Sequence, residues 1–281
     1  MNVSPKMSCG GRAHGRRADQ IRPIHVTYDA FGYASGTVLF EIGNTKVLCA
    51  ISLNAGVPPF LRGNKTGWLT AEYAMLPTST IQRTQREAVT QKRSGRGTEI
   101  SRLIGRALRA VTNLDVLGER TIIIDCDVLQ ADGGTRTAAI SGAYLALKLA
   151  ERRWQENKII TAPCVIGDVA AISVGMLNGV PVVDLDCTED NNADVDFNFM
   201  LTSEGNIIEI QGAVEHVKAI NWNDFECMRQ LAVKGVKSLF ESLPGTPSES
   251  EANIHYAHED KSVRSIEHTP LFCLKNRLEK A

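Results

Sequence analysis

The sequence predicts an α/β fold, with strands and helices mixed in α+β fashion, on three observations. Runs rich in β-branched and apolar residues have strand length, Thr121 to Leu129 being the clearest. Ile100, Leu103, Ile104, Ala107, Leu108 and Val111 fall at i, i+3, i+4, i+7, i+8 and i+11, one apolar helical face. The dipeptides Gly43-Asn44 and Asn178-Gly179 each separate two strand-like runs, the spacing of a two-residue hairpin.

Taken in order, residues 1–15 read as a disordered leader without a hydrophobic core. The basic cluster Arg16-Arg17-Ala18-Asp19-Gln20-Ile21-Arg22-Pro23 then leads into a strand near Ile24 to Asp29. Strands at Gly36 to Ile42 and Thr45 to Leu53 make the first hairpin, and a further strand, Gly67 to Leu76, stops at Pro77. Thr78 to Gly97 is polar, basic and interrupted by breakers, hence a long loop. The amphipathic helix starts near Thr98 and keeps Arg102, Arg106 and Arg109 off its apolar face, as a solvated or inter-subunit surface. After the central strand, Ala138 to Ala150 is a helix of at least three turns. Cys164 to Leu177 and Val180 to Asp186 flank the second hairpin, and Ala193 to Thr202 pairs with Asn206 to Gln211 across Glu204-Gly205. Trp222 to Ser242 closes a domain of residues 16–242 as a helix. The Pro-, Ser- and Glu-rich tail, residues 243–281, has no core-forming pattern, and Leu271 to Leu278 is a candidate short partner helix.

The run Asp125-Cys-Asp-Val-Leu-Gln-Ala-Asp-Gly-Gly-Thr-Arg-Thr, ending at Thr137, carries the chemistry. Gly133-Gly134 form the tight turn between strand and helix, with Thr135 as the expected N-cap. Glycine lets a ligand approach the backbone, and a helix N-terminus favours an anion there. Arg136 adds forked donors that suit phosphate. A capped turn without a ligand is the competing reading. Asp190 and Asp196 are close enough across a turn to share one metal, and hard oxygen ligands suit Mg²⁺. An acidic surface turn is the alternative.

Composition sets bounds. At 281 residues with 43% hydrophobic and 22% charged content, the chain can bury a full core. The net charge of −1 gives no global sign of a nucleic-acid partner, yet charge is segregated. From Arg83 to Arg109 eight basic residues stand against two Glu, and from Asp184 to Asp196 there are six acids and no base. Seven cysteines, an odd number without Cys-x-x-Cys, are expected to be reduced. With no apolar run of spanning length, a cytoplasmic protein without membrane contact is expected.

The central run, continued through Ala138-Ala-Ile-Ser-Gly142, resembles nearly letter for letter the phosphate-binding segment of the ribonuclease PH family. The likeness extends from about Arg16 to Phe240, including Gly67-Trp-Leu-Thr-Ala-Glu-Tyr-Ala-Met-Leu76 and an opening similar to the family's Gly-Arg-…-Arg-Pro beside the active site. It implies a sandwich of mixed β-sheets with packed helices. It also implies a phosphate-dependent 3′-to-5′ exoribonuclease of the nucleotidyltransferase class, trimming tRNA precursors and other RNA with single-stranded 3′ ends. The reaction is reversible and releases nucleoside diphosphates, with inorganic phosphate as co-substrate and Mg²⁺ as cofactor. The family's ring is a homo-oligomer, a hexamer built as a trimer of dimers. Ser94-Gly-Arg-Gly-Thr-Glu-Ile100 resembles the family's Gly-Gly-Arg-Thr-x-Glu-Ile, so Arg96 joins Gly134, Thr135 and Arg136 as phosphate ligands. Asp190 and Asp196 match the residues serving metal and catalysis, with Asn198 nearby, Asp184 a weaker candidate, and Asp125 and Asp127 as buttresses.

Arg83 and Arg86 are the expected RNA phosphate contacts, assisted by Arg16 or Arg17, giving affinity without sequence preference. Two departures stand out. Thr78 occupies the place of the family's arginine after Leu-Pro, and Gln211-Gly-Ala-Val-Glu-His replaces Gln-Gly-Thr-Ala-Glu-Gly. A catalytically silent RNA-binding ring subunit is one rival, disfavoured because Arg96, Arg136, Asp190 and Asp196 are all retained. A hydrolase is another, for which no water-activating constellation is evident.

Overall fold

The first sheet grows from the hairpin at Gly43-Asn44, in a computed structural model that describes residues 12, 15–86, 94–215, 217 and 219–245. β1 (Ile24–Tyr28), β2 (Gly36–Ile42), β3 (Thr45–Ala55), β4 (Trp68–Met75) and β5 (Arg120–Gln130) lie in the order β1-β2-β3-β5-β4. Every pair is antiparallel except β4–β5. A parallel pair needs a crossover, which helix α1 (Gly95–Ala110) supplies. Along β5, Ile122, Ile124, Cys126 and Val128 are buried and the residues between them half-exposed, so one face carries the core.

Helix α1 buries Ile100, Leu103, Ile104, Ala107 and Leu108, as its periodicity predicts. Its start corrects the sequence reading. Ser94 accepts a hydrogen bond from Gly97 N at 2.9 Å, and this cap begins the helix at Gly95 rather than near Thr98. Arg96 therefore sits in the first helical turn, not in a loop. The next helix, α2 (Thr135–Glu156), is longer than expected and packs on β2 and β3. Its cap is also a correction. Gly134, at φ 67°, is the N-cap without a side-chain bond, and Thr135 is the first helical residue.

The second sheet holds β6 (Ala170–Leu177), β7 (Val180–Val183), β8 (Val195–Leu201) and β9 (Ile207–Val214), in the order β7-β6-β8-β9 and antiparallel throughout. Asn178 and Gly179, at φ 50° and 77°, make the expected β6–β7 turn. β6 starts later than its apolar run, because Val165 N donates to the buried Glu151 Oε1 at 2.6 Å instead of joining a ladder. β7 ends earlier than expected, where Asp184 turns to φ 56° and Asp186 caps the short helix α3 (Cys187–Asn192). Asp186 and Glu189 complete a capping box. The acidic segment is thus a helix turn followed by a strand, rather than a hairpin loop.

β6 is buried on both faces, which explains its unbroken apolar sequence. Ala171 joins the core shared with α1 and α2, whereas Ile172 and Val174 join Met228, Ala232, Val236 and Leu239 of α4 (Trp222–Ser242). The layers are the first sheet, α1 with α2, the second sheet, and α4. This is the sandwich of mixed sheets with packed helices.

A buried ion network fastens the N-terminal segment to this body. The Arg22 backbone N–H and Nε donate to Asp184 Oδ2 at 2.7 and 2.9 Å, and Nη2 donates to Oδ1 at 2.7 Å. The same guanidinium donates to the Asp132 and Gly133 carbonyls. Arg12 bonds both Glu189 carboxylate oxygens, at 2.8 and 2.6 Å, and is itself buried. Arg12 falls within the expected leader yet is held in this network, and residues 1–11, 13 and 14 lie outside the described residues. Gly133 completes the lock. At φ 74°, a Cβ there would meet Leu185 O at 2.5 Å, so only glycine lets the 185–187 backbone cross this turn.

At the other end Leu243 packs against both cores, so the body runs past Ser242. The chain divides into Met1–Thr246 and Pro247–Ala281, and residues 246–281, with the expected tail helix, lie outside the described residues. No helix among the described residues is long and apolar enough to cross a membrane.

Removing one partner of a buried, hydrogen-bonded ion pair typically costs about 3–5 kcal/mol. Arg22→Met is expected to lower the thermal midpoint by about 6–20 °C, at about 2–4 °C per kcal/mol for a body of this size. A calorimetric or dichroism melt checks it, and an unchanged midpoint refutes the clamp.

Candidate active site

Two helix N-termini and one carboxylate pair converge. Arg96 is the second residue of α1 and Arg136 the second residue of α2, and neither helix has an acid in its first turn. A cation there opposes the helix dipole, so both ends are built to hold an anion between the arginines. Gly134, in the left-handed region, leaves the α2 terminus without a side chain over it. Thr137 Oγ1 donates to Gly134 O at 2.8 Å and steadies the turn. Thr135 Oγ1 pairs with the buried Tyr73 hydroxyl of β4 at 2.9 Å.

Opposite them stand Asp190 on α3 and Asp196 on β8. Burial and then the Asp190 charge push the Asp196 carboxyl up to about 6, and Arg136 only partly offsets this. Asp190 is raised by burial, with Arg136 and Arg96 acting against it and Glu215 with it. Asp196 Oδ2 accepts from Asn198 Nδ2 at 3.4 Å, while its buried Oδ1 has no hydrogen-bond partner among the described residues. A cavity of about 450 Å³ opens here, lined by Glu99, Arg136, Asp196, Asn198, Gln211 and Glu215. Its lining sets one cation, Arg136, beside the carboxylates of Glu99, Asp196 and Glu215.

Arg96, Gly134, Thr135, Arg136, Asp190 and Asp196 thus belong to one place. Arg83 and Arg86 are exposed on the segment after β4, and residues 87–93 lie outside the described residues. Arg16 calls for a correction. It is half-buried, with its side chain 8% exposed, and donates to the Asp184 carbonyl and carboxylate, Asp186 and Glu189, so its guanidinium serves the ion network and is not free to meet RNA. Arg17 is the exposed member of that pair and bonds Asp19 at 3.0 Å. Asp184 belongs to the clamp. Asp125 and Asp127 do not buttress the site. They lie on the β5 face opposite the core, with Glu72 across from Asp125, and burial raises both carboxyls.

Sequence reasoning missed Tyr73, Glu99 and Glu215. Tyr73 and Glu99 sit in segments singled out for their likeness to the family and Glu215 in one singled out as a departure, and only the fold brings Tyr73 to Thr135 and sets Glu99 and Glu215 on one cavity.

Residues 20–153 match the family model described as "3' exoribonuclease family, domain 1", and residues 168–216 match "3' exoribonuclease family, domain 2". The chain is 50% identical over 228 residues to "Ribonuclease PH" of Syntrophomonas wolfei, covering 81% of this chain and 95% of that one. It is 49% identical over 226 residues to "Ribonuclease PH" of Neisseria meningitidis serogroup C, covering 80% and 93%. Among solved structures, an Archaeoglobus fulgidus exosome with RNA bound to the active site matches with a TM-score of 0.71 at 16% identity, over 83% of this chain and 92% of that one. Rice (Oryza sativa) Rrp46 matches at 0.65 and 20%, over 82% and 97%, and these two likenesses show the fold. With both domain matches and half of its aligned residues shared, the chain belongs to the ribonuclease PH family of 3′ exoribonucleases.

Proposed function

We propose that the convergence of Arg96, Arg136, Asp190 and Asp196 is the phosphorolytic centre of this chain. The protein is a phosphorolytic 3′-exoribonuclease of the nucleotidyltransferase type, acting in tRNA processing. The observation that carries the site is the pair of arginine-bearing helix N-termini acting together on Asp190, with Arg136 and Asp196 lining one cavity. Arg96, Arg136, Thr135 and the Gly134 turn hold inorganic phosphate. Its oxygen attacks the last phosphodiester phosphorus, the bond to the preceding 3′ oxygen breaks, and a nucleoside diphosphate leaves. The nucleophile arrives charged, so no side chain has to create it.

Asp190 and Asp196 fit Mg²⁺. Asp196 Oδ1 is buried and without a hydrogen-bond partner among the described residues, an acceptor that suits a cation, and the Asp190 charge adds to burial in raising the Asp196 carboxyl. Among the described residues no group of three or more His, Cys, Asp or Glu forms a cage, which suits an ion that keeps water and substrate oxygens. When bound, the ion supplies charge neutralisation for the transferring group. Arg83, Arg86 and Arg17 are exposed cations that suit the RNA backbone. The substrates are tRNA precursors and other RNA with single-stranded 3′ ends, including ribosomal RNA, and the working assembly is a cytoplasmic homo-oligomer, a hexamer formed as a trimer of dimers.

One incubation tests the reaction class. RNA with a single-stranded 3′ tail should shorten only when Mg²⁺ and phosphate are both present, releasing diphosphates, and excess diphosphate should lengthen it. Monophosphates in phosphate-free buffer would mean hydrolysis, and binding without turnover a silent subunit. Arg136→Ala or Arg96→Ala should raise the phosphate requirement about tenfold or more, since a charged hydrogen bond contributes about 1.5–3 kcal/mol.

Asp196→Asn should abolish turnover yet stabilise the metal-free protein. The sign follows from the raised carboxyl, at about 6 when folded against 3.8 ordinarily. Folding binds the proton more tightly, so this group's cost to stability is present above pH 6 and recedes as pH falls toward 3.8. The cost at neutral pH is on the order of 3 kcal/mol. Melts with chelator at pH 7.5 and pH 5 should show the asparagine variant higher at both, with the gap at pH 5 about half that at pH 7.5.

A further inference from the structure

The cradle contains a buried hydroxyl pair for which phosphate binding alone gives no reason. Tyr73 is 7% exposed and Thr135 6%. Among the described residues, each hydroxyl has the other as its side-chain hydrogen-bond partner, at 2.9 Å. A core tyrosine needs its hydroxyl satisfied, and any nearby carbonyl would do. The partner here is the first residue of the helix that carries Arg136. Both Arg96 and Arg136 are close enough to act on the Tyr73 phenol. The ring itself is fixed by the ladder, with Tyr73 opposite Cys126 on β5.

We infer that Tyr73 is a positioning residue for the attacking phosphate, donating its O–H to Thr135 Oγ1 and so aiming the Thr135 proton at the anion. The argument is a count of protons. Each hydroxyl has one proton, and an anion only accepts. Once phosphate occupies the α2 terminus, the Thr135 proton goes to it, and the 2.9 Å contact persists only if Tyr73 donates. Burial raises the Tyr73 phenol, which keeps that proton available above the ordinary tyrosine range. A donor behind Thr135 also polarises it, so the two bonds strengthen each other. Without the phenol oxygen, the threonine hydroxyl is free to rotate and its acceptor side is left buried and unmet. The inference rests on Thr135 belonging to the phosphate cradle.

Steady-state phosphorolysis of tailed RNA by the full chain, with phosphate titrated, tests both layers. Tyr73→Phe retains the ring and should raise the KM for phosphate about three- to tenfold, the loss of one neutral hydrogen bond. The kcat, and the KM for RNA, should stay within about twofold of the parent. Thr135→Val should raise the phosphate KM at least as much, and the double variant should be no worse than Thr135→Val alone. As a readout independent of activity, the rise in thermal midpoint caused by inorganic phosphate should shrink in each variant. A normal phosphate KM in Tyr73→Phe beside a raised one in Thr135→Val overturns the positioning role and leaves the cradle standing. Additive losses in the double variant, or a fall in kcat alone, overturn it too. A normal phosphate KM in Thr135→Val removes the cradle assignment itself.

Discussion

The Arg22–Asp184 pair is the constraint on which the rest of the site depends. Asp184 is at a left-handed turn between β7 and α3, and both of its carboxylate oxygens are bonded by Arg22. The same guanidinium reaches the carbonyls of Asp132 and Gly133, one residue before the phosphate turn. One buried cation therefore ties the end of the first sheet to the start of the segment that carries Asp190. Burying charge is unfavourable unless the partners are met. Here Arg12, Arg16 and Arg22 face Asp184, Asp186 and Glu189, so the cluster is internally balanced. Its gain is positional, since the glycine turn and the acidic helix cannot move apart without unpairing it.

Around the cavity the electrostatics run the other way. Each arginine lies where a helix dipole disfavours it, and the Asp196 carboxyl is raised well above its ordinary range. These groups repel within each set and are only partly compensated across the gap. A site in this condition gains from ligands of both signs at once. Under the proposed function, phosphate would relieve the arginines and a divalent cation the carboxylates. The structural network, already satisfied, would gain from neither. Arginines in the two clusters look alike in sequence, yet Arg12 and Arg22 are buried with their counterions in the chain, whereas Arg96 is exposed and Arg136 half-buried at helix starts.

Much of this was legible beforehand. The period of Ile100 to Val111 fixes the buried face of α1, and Asn178-Gly179 places a hairpin, because both signals are local. The Gly133-Gly134-Thr135-Arg136 wording marks the turn that opens α2. What failed depended on contacts between distant residues. Arg16 reads like Arg17, and only the fold brings Asp184, Asp186 and Glu189 onto the first and leaves the second exposed. Thr135 looks like a cap, but a left-handed Gly134 takes that place and frees the threonine hydroxyl for Tyr73. Asp125 and Asp127 flank a buried cysteine in a strand, and alternation sends them to the face away from the site. Glu215 gave no local signal that it would act on Asp190 and Asp196.

Helix α2 packs on β2 and β3 of one sheet and on β6 of the other, so the two halves of the body share a single beam. The arginines sit at the ends of helices on the first half, and Asp196 on a strand of the second. Enzymes that close two lobes around a substrate rely on a thin hinge between them. A shared, buried helix leaves no such hinge, so the reacting groups are held at one spacing through every cycle. Repeated removal of single nucleotides then becomes a matter of advancing the strand through a fixed frame, with motion confined to the RNA and to the surface segments that guide it.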